Sequence, residues 1–326
     1  MANIKRALVI GGGSIKGAFE AGAIKVILDS GFVPDAIYGV SVGALNGGYL
    51  ANFMGANPGK SWPEAGDELL DFWKTKVTSF KVLGKERKKL KVYWKIAFGG
   101  FKGFLNMNAL RDLIHKEVKA SNIAKSKGAF FPGVVDLETG TFFYGNAKTD
   151  PDDFVDYIIA STREPILMEL MHLDNKTLID GGVRNISPLK SAIDAGANEI
   201  ITIATQPEEV TPEVGKDYES LMTLAGRTIG IMTNEIVNND LNLASKINLA
   251  CIHYGKKTNQ FKITAGPLKG YKYVESTIIR PDQALAVDIT NFTPADIQMM
   301  IDRGTQRANE ALKARNAFRT KIGFKP

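Results

Sequence analysis

Short continuous runs of apolar residues, each ending at glycine or another turn-forming residue, are the most regular pattern along the chain. Such runs are typical of strands that are buried on both faces of a sheet. They predict strands at Ala7–Ile10, Ala36–Val40, Gly133–Leu137, Thr141–Tyr144 and Ile200–Thr205. Apolar residues with helical spacing lie between the first two runs. Residues 7–40 are therefore predicted to form a strand–helix–strand unit with parallel strands and a right-handed connection.

Other patterns predict a hairpin and two long helices. The stretch VVDLETGTFFYG reads as a hairpin with Glu138, Thr139 and Gly140 at its turn. Helices are predicted over residues 217–247 and 294–315, and Pro294 suits the first turn of the second one. No linker rich in Pro, Gly or Ser divides the chain. We therefore predict one α/β domain over residues 1–326, with a basic, aromatic helical insertion at about 60–125.

The composition is that of an ordinary globular protein, with 44% hydrophobic and 23% charged residues in 326. Cys251 is the only cysteine, so an internal disulfide is excluded and a reducing compartment is expected. The apolar run near the N-terminus is too short for a signal peptide, and no run is long enough to span a bilayer. These features predict a cytoplasmic protein.

Positive charge is concentrated in one segment. The net charge is +6, but residues 72–104 contain ten Lys or Arg and one acid, which gives this segment +9. Such a concentration favours an anionic partner. A solvated helix face is the alternative, and the charge pattern alone does not decide between them.

The same segment contains eight aromatic residues. Within KERKKLKVYWKIAF, one predicted helix face carries Leu90, Tyr93, Trp94, Ala97 and Phe98, and another carries Lys88, Lys91 and Lys95. Gly99 and Gly100 would end this helix. Lysines beside an apolar stripe with aromatic residues are typical of a helix that lies in a membrane interface. Two interpretations stay open: peripheral docking on an anionic membrane, and packing of the stripe on the protein's own core.

A glycine-rich turn, Gly11–Ser14, follows the first predicted strand. A dinucleotide fingerprint does not fit, because Lys16 or Ser14 stands where a further glycine is needed. The second strand also ends in Gly39-Val40-Ser41 and lacks an acid to hold a ribose. A nucleotide-binding regulatory protein is therefore the less favoured interpretation.

The second strand runs directly into Gly39-Val40-Ser41-Val42-Gly43, a G-x-S-x-G motif. This motif places a nucleophilic serine on a sharp strand-to-helix turn, here Ser41 between Gly39 and Gly43. Both glycine turns follow neighbouring parallel strands, so both should lie at the carboxyl edge of the sheet. Backbone N–H groups beside a nucleophilic serine form an oxyanion hole, which is the role we predict for Gly11–Ser14.

A serine nucleophile needs a base. The three histidines, His115, His172 and His253, lie in no recognisable motif. Asp180 is a better candidate, because it ends an apolar strand and precedes two glycines and a helix. A plain Asp-Gly-Gly turn would give the same local pattern.

Three motifs together resemble those of the patatin-like phospholipases, in the same order: GGGSIKG at 11–17, GVSVG at 39–43 and DGG at 180–182. The stretches IIASTREPILM and DGGVRNISPLKSAIDAGANEIITI, and the C-terminal strand and helix, are similar as well. The resemblance implies a three-layer αβα fold with a mostly parallel central sheet. Two departures from the family pattern are Ser14 and the pair Arg163-Glu164.

The resemblance also implies a mechanism. Ser41 would attack an ester carbonyl, Asp180 would act as base and then acid, and the N–H groups of Gly12, Gly13 and Ser14 would hold the oxyanion. An acyl-enzyme would form, and no metal or cofactor would be required. The implied substrates are phospholipids or lysophospholipids, with no nucleic-acid partner. A Ser-His-Asp carboxylesterase is the alternative enzyme, although only one predicted strand precedes the serine turn here.

Overall fold

The computed structural model of the protein describes residues 5–147, 151–258 and 262–322. The strands in this part of the chain are β1 (Arg6–Ile10), β2 (Ala36–Val40), β3 (Lys85–Glu86), β4 (Leu105–Asn106), β5 (Ala129–Asp136), β6 (Thr141–Tyr144), β7 (Met171–Leu173), β8 (Lys176–Asp180), β9 (Glu199–Ile203) and β10 (Glu275–Ile279). The helices are α1 (Gly17–Asp29), α2 (Val42–Ala56), α3 (Trp62–Thr75), α4 (Phe80–Leu83), α5 (Lys89–Phe98), α6 (Asn108–Glu117), α7 (Ala120–Ile123), α8 (Phe154–Ser161), α9 (Leu189–Asp194), α10 (Leu221–Thr258) and α11 (Pro294–Ile322).

One large sheet organises these elements, in the order β10-β9-β1-β2-β5-β8-β7, with β6 paired to β5. Strands β10, β9, β1, β2 and β5 are parallel neighbours, whereas β6, β7 and β8 pair antiparallel. The predicted α/β class is confirmed. The strand–helix–strand unit is also present, with Ala7 opposite Ala36 in the parallel pair.

Helices cover both faces of the sheet, because successive residues of a strand point to opposite sides. In β1, Leu8 and Ile10 join the larger core beneath α1, α2, α3 and α11. Ala7 and Val9 point the other way, toward Leu189 of α9 and residues of α10. Strands β1 and β2 are therefore buried on both faces, as the continuous apolar runs predicted, and the three-layer architecture is confirmed.

The predicted hairpin is formed by β5 and β6, with Gly133 opposite Tyr144. The two long helices exist with different bounds from those predicted, since α10 is Leu221–Thr258 and α11 extends to Ile322. In the described part of the chain, no helix combines the length and the apolar character that crossing a bilayer requires.

The predicted insertion contains α3 to α7. Helix α3 begins at a capping box in which Ser61 and Glu64 exchange hydrogen bonds, and it buries Trp62, Phe72 and Trp73 in the core. Helix α5 is different, because Val92 is its only buried residue. Leu90, Trp94 and Phe98 are 71%, 59% and 75% exposed, and the rings of Trp94 and Phe98 stack at 4.8 Å. The apolar stripe of α5 therefore does not pack on the protein's own core.

An ion-pair cluster lies at the amino ends of the parallel strands. Glu199, the first residue of β9, accepts from Arg6 at 3.0 Å, from Arg315 at 2.8 Å and from Arg319 at 2.7 Å. Arg319 also pairs with Glu275, the first residue of β10. This cluster joins the end of α11 to the edge of the sheet opposite to the glycine turns.

Candidate active site

Ser41 occupies a sharp turn between β2 and α2. Its φ of 57° and ψ of −127° place it in a region that non-glycine residues rarely adopt. Strained backbone of this kind persists only where surrounding contacts enforce it, and it clusters at functional sites. The predicted nucleophile elbow therefore has the expected geometry.

Gly39 and Gly43 leave no room for a side chain at this turn. A Cβ atom on Gly39 would lie 2.4 Å from the carbonyl oxygen of Gly43. A Cβ atom on Gly43 would lie 2.3 Å from the carbonyl oxygen of Ile10. These approaches explain the spacing of the motif, since strand and helix can meet this closely only at glycine.

Sheet register brings Asp180 to the same place. Gly133 of β5 pairs with Val40, and its neighbour Val134 pairs with Asp180, the last residue of β8. Ser41 and Asp180 thus lie on either side of one strand, although they are far apart in the sequence. The two candidate residues predicted from separate motifs are brought together.

The hydroxyl of Ser41 lies within hydrogen-bonding reach of the carboxylate of Asp180, which accepts from the N–H of Gly182 at 2.7 Å. Asp180 is buried. Burial raises the pKa of Asp180 to about 6, and the contacts with Ser41 and Gly182 oppose this rise by stabilising the charged form. A carboxylate with a raised pKa beside a serine hydroxyl is suited to take up its proton.

Ser161 is a residue that the sequence analysis missed. Its hydroxyl accepts from the N–H of Ser41 at 2.8 Å and donates to the carbonyl of Gly133 at 2.6 Å. It therefore ties the strained turn to β5. The only signal was its position in IIASTREPILM, a stretch that resembles the family without indicating what this serine contacts.

The glycine turn lies directly against Ser41. A Cβ atom on Gly12 would be 2.9 Å from the Cβ of Ser41, so Gly12 is in contact with the serine turn. The N–H of Gly11 is bound to the carbonyl of Ile203, but no hydrogen bond among the described residues uses the N–H of Gly12, Gly13 or Ser14. Ser14, which replaces the family's glycine, adopts a φ of 54°. Three backbone donors are thus free beside the serine.

Two cavities meet at Ser41, Ser14 and Glu164. The first, which we call the narrow pocket, measures about 50 Å³, and its walls are mainly apolar. They include Leu45, Trp73, Leu83, Met107, Leu110 and Met168. The second, which we call the wide cleft, measures about 550 Å³ by the same measure. It contains Ser41 and Asp180 and is bordered by the first half of α10.

Two further charged groups border the wide cleft. Burial lowers the pKa of Lys16, and the negative charge of Glu164 opposes this. Burial, together with the nearby charge of Asp180, raises the pKa of Glu164 to about 7, and Lys16 opposes that rise. The unusual residue before Pro165 therefore places a second carboxyl group next to the candidate dyad.

The three histidines all lie in the described part of the chain, and none lines either cavity. His115 contacts Asp156 at 3.2 Å, His172 is hydrogen-bonded to Thr177, and His253 is exposed on α10. No group of three or more His, Cys, Asp or Glu side chains within residues 5–147, 151–258 and 262–322 is arranged to hold a metal ion. The Ser-His-Asp interpretation therefore has no histidine in place.

Comparison with known proteins agrees with the motifs. Residues 8–193 match the family model of patatin-like phospholipases, a range that contains both Ser41 and Asp180. The match does not extend to the C-terminal strand and helix, for which the sequence also predicted a resemblance. Among solved structures, VipD from Legionella pneumophila aligns with 11% identity and a TM-score of 0.40, over 96% of this chain and 67% of its own. None of the curated proteins compared with the chain matches it significantly.

Proposed function

The chain belongs to the patatin-like phospholipase family, and on this premise we propose that it hydrolyses fatty acyl esters of phospholipids or lysophospholipids through Ser41 and Asp180. Family membership indicates a hydrolase that acts on lipid esters. The juxtaposition of the Ser41 hydroxyl and the buried Asp180 carboxylate is the observation that carries the finer proposal. The extent of the catalytic domain over the whole chain stays a prediction.

The dyad acts in two steps. As the Ser41 oxygen attacks the ester carbonyl, its proton passes to Asp180, and the protonated Asp180 then donates that proton to the departing alcohol. The products of this step are an acyl-enzyme and a lysolipid or glycerol derivative. Water then attacks the acyl-enzyme, giving its proton to Asp180, and Ser41 recovers a proton as the fatty acid leaves.

The negative charge that develops on the carbonyl oxygen needs donors. We assign this role to the free N–H groups of Gly12, Gly13 and Ser14, which adjoin Ser41. Removal of one oxyanion donor typically lowers kcat by about 10²–10³-fold. Because backbone N–H groups remain at any residue but proline, Ser14 supplies the same donor as the family's glycine.

The cavities indicate how a lipid would lie. The narrow pocket has apolar walls that suit an acyl chain beyond the scissile carbonyl. The wide cleft is roomier and contains the charged groups Lys16 and Glu164, so we assign the remainder of the lipid to it. The wide cleft is also lined largely by apolar residues, and its volume of about 550 Å³ gives room for the part of a long acyl chain that the narrow pocket of about 50 Å³ cannot hold.

Hydrolysis of a defined phosphatidylcholine and its lyso form, with products identified by mass spectrometry, tests this function. Ser41→Ala and Asp180→Asn should each lower kcat/KM by about 10³-fold or more, and the double variant should be no worse, because residues that act as one unit are non-additive. A fluorophosphonate probe should label Ser41 alone.

Matched controls make the result specific. Ser276→Ala removes a buried hydroxyl that has no hydrogen-bond partner among the described residues, and it should leave activity unchanged. A triple replacement of the histidines by alanine should also remain active. If the triple variant is inactive while Asp180→Asn is active, the dyad assignment is wrong.

We also propose that the protein binds anionic membranes peripherally through the predicted basic, aromatic segment. Within residues 72–104, the part available for membrane contact is α5 and its flanks, because Phe72, Trp73 and Phe80 are buried in the core. Tyr93, Trp94, Phe98 and Phe101 are exposed. We therefore assign the proposed docking surface to residues 85–102, which we call the aromatic arm.

Charge and position support this role for the aromatic arm. Its lysines at 85, 88, 89, 91 and 95 form no ion pair within the part of the chain that the structure describes. Each basic residue near an anionic bilayer contributes about 1 kcal/mol to binding. The chain just beyond the arm lies near the cleft, since Leu105 donates to the carbonyl of Leu167, and the preceding residue, Ile166, lines the wide cleft.

Vesicle sedimentation at low and high salt tests the aromatic arm. Replacement by glutamate at four arm lysines should abolish binding to vesicles rich in phosphatidylglycerol, while turnover of a soluble ester stays unchanged; the positions are Lys88, Lys89, Lys91 and Lys95. The matched control reverses the same amount of charge at four exposed lysines elsewhere, namely Lys116, Lys125, Lys127 and Lys246. Equal loss of binding in both variants would contradict a role specific to the arm.

A further inference from the structure

Two side chains from outside the glycine turn bind the same carbonyl oxygen within it. Thr205 Oγ1 donates to the Gly12 carbonyl at 2.7 Å, and Gln206 Nε2 donates to it at 3.2 Å. Both residues are buried, and they follow β9 at the same edge of the sheet as Ser41. No motif in the sequence marked either residue.

These two hydrogen bonds fix the direction of a backbone N–H group as well as that of the carbonyl group. The peptide between Gly12 and Gly13 is planar and trans, so its C=O and N–H point in opposite directions. Holding the oxygen of Gly12 therefore fixes the direction of the Gly13 N–H, which is one of the three free donors beside Ser41. A Cβ atom on Gly13 would lie 1.9 Å from Thr205 Oγ1, so Thr205 packs directly on this peptide.

A turn of three consecutive glycines needs such support. Glycine has more accessible backbone conformations than any other residue, so an unsupported Gly11-Gly12-Gly13 segment would sample many directions of its N–H groups. Donors stabilise an oxyanion well only when they are already oriented before the reaction. The two bonds to Gly12 supply that orientation.

The supporting residues are themselves anchored. Arg280 donates to the carbonyl of Gln206 at 3.0 Å and to the side chain of Asn238 on α10 at 2.9 Å. Asn234, also on α10, donates to the carbonyl of Pro207 at 2.8 Å. The backbone that carries Gln206 is therefore tied to the helix that borders the wide cleft.

We propose that Thr205 and Gln206 are positioning residues for the oxyanion hole. They hold the Gly12 carbonyl so that the Gly13 N–H is oriented toward the oxyanion that forms on the ester. This role rests on the proposed acyl hydrolase function. Loss of the Thr205 hydroxyl weakens transition-state stabilisation while substrate binding is retained, because the N–H acts mainly on the charge of the transition state.

Isosteric replacement of threonine by valine at positions 205 and 202 provides the test. Thr205→Val should lower kcat by about 10- to 100-fold with little change in KM, as misplaced catalytic groups do. Thr205→Ser, which keeps the hydroxyl, should restore most of the activity. Thr202→Val is the matched control, because Thr202 is fully buried on β9 and its hydroxyl has no partner among the described residues.

A transition-state analogue gives a second readout. A long-chain trifluoromethyl ketone adds to Ser41 as an oxyanion, so its Ki should rise in Thr205→Val by the same factor as kcat/KM falls. Gln206→Leu removes the longer bond and should have a smaller effect of the same kind. This variant also serves if Thr205→Val fails to fold.

The outcomes separate the two proposals. Ser41→Ala in the same assay reports on the function itself: activity retained in that variant overturns the hydrolase assignment and the positioning role with it. If Ser41→Ala is inactive but Thr205→Val and Thr202→Val have equal kcat and Ki, the positioning role is wrong. A rise in KM with unchanged kcat would also overturn it.

Discussion

The two ends of the parallel strands hold buried carboxyl groups in opposite electrostatic settings. At the carboxyl ends, Asp180 has a serine hydroxyl and a backbone N–H as its partners, and Glu164 adds a second acid nearby. At the amino ends, Glu199 is surrounded by Arg6, Arg315 and Arg319. Within the part of the chain that the structure describes, Asp180 and Glu164 form no ion pair, whereas Glu199 is paired with three arginines.

The difference separates the candidate active site from a structural ion-pair cluster. A buried carboxylate without a cationic partner has a raised pKa, which lets it exchange a proton near neutral pH. A carboxylate between guanidinium groups, as at Glu199, holds structural elements together. Replacing Glu199 or Asp180 by its neutral amide therefore tests this difference at both ends. The expected changes in the free energy of unfolding have opposite signs.

The largest expected effect on stability is at the amino end. Glu199→Gln should lower the free energy of unfolding by about 3 kcal/mol, because removal of one member of a buried ion pair leaves its partners without compensation. Urea unfolding measures this change. Lys190→Gln, at an exposed pair with Asp194, is the control and should change stability by less than about 1 kcal/mol. Equal effects at both sites would remove the distinction between the two ends.

The second effect has the opposite sign. Folded Asp180 has a pKa of about 6, above its ordinary value, so the folded state prefers the protonated carboxyl. Stability contributed by this group is present at low pH and is lost as the pH rises through about 6. Asp180→Asn should therefore stabilise the protein by about 2 kcal/mol at pH 8 while abolishing activity.

Unfolding of Asp180→Asn and wild type below pH 3.8, the ordinary pKa of this carboxyl group, provides the check. There Asp180 is mostly protonated in both the folded and the unfolded state, and the stability difference should nearly vanish. A variant that is less stable than wild type at high pH would show that the carboxylate is compensated by a contact other than those described.

The smallest effect concerns the pH dependence of kcat. The rate should rise as Asp180 ionises with a pKa of about 6, and fall several-fold as Glu164 ionises with a pKa of about 7, since its charge opposes the oxyanion. Glu164→Gln should remove the fall and keep the rise. A rate profile that keeps its descending limb in this variant would assign that limb to another group.

Sequence patterns predicted the features that a contiguous stretch of residues encodes and missed the contacts between distant parts of the chain. Strands β1 and β2, the turn at Ser41 and the Asp-Gly-Gly segment each leave a contiguous signature, so the fold class could be predicted and Ser41 and Asp180 could be selected as candidate residues. Ser161 contacts Ser41 across 120 residues, and Thr205 contacts Gly12 across 193. Each is a single common hydroxyl residue whose partner is set by sheet register, which no local pattern encodes.

The arginine cluster and the aromatic arm illustrate the same limit. Glu199 opens a strand whose apolar run was predicted, but its three partners come from β1 and α11. The stripe on α5 was visible in the sequence, yet its exposure depends on which faces the neighbouring elements cover. Spacing predicts that a face is apolar, and only tertiary packing determines whether that face is buried.

The exposed position of Trp94 has a spectroscopic consequence. The chain has three tryptophans, of which Trp62 and Trp73 are buried and Trp94 is 59% exposed. Emission from an indole in water lies at longer wavelength than emission from an apolar surrounding, so only Trp94 has a large shift available to it. Intrinsic fluorescence thus reports on the aromatic arm without an added dye. The variant Trp94→Phe, in which only Trp62 and Trp73 emit, supplies the reference spectrum for the same measurement.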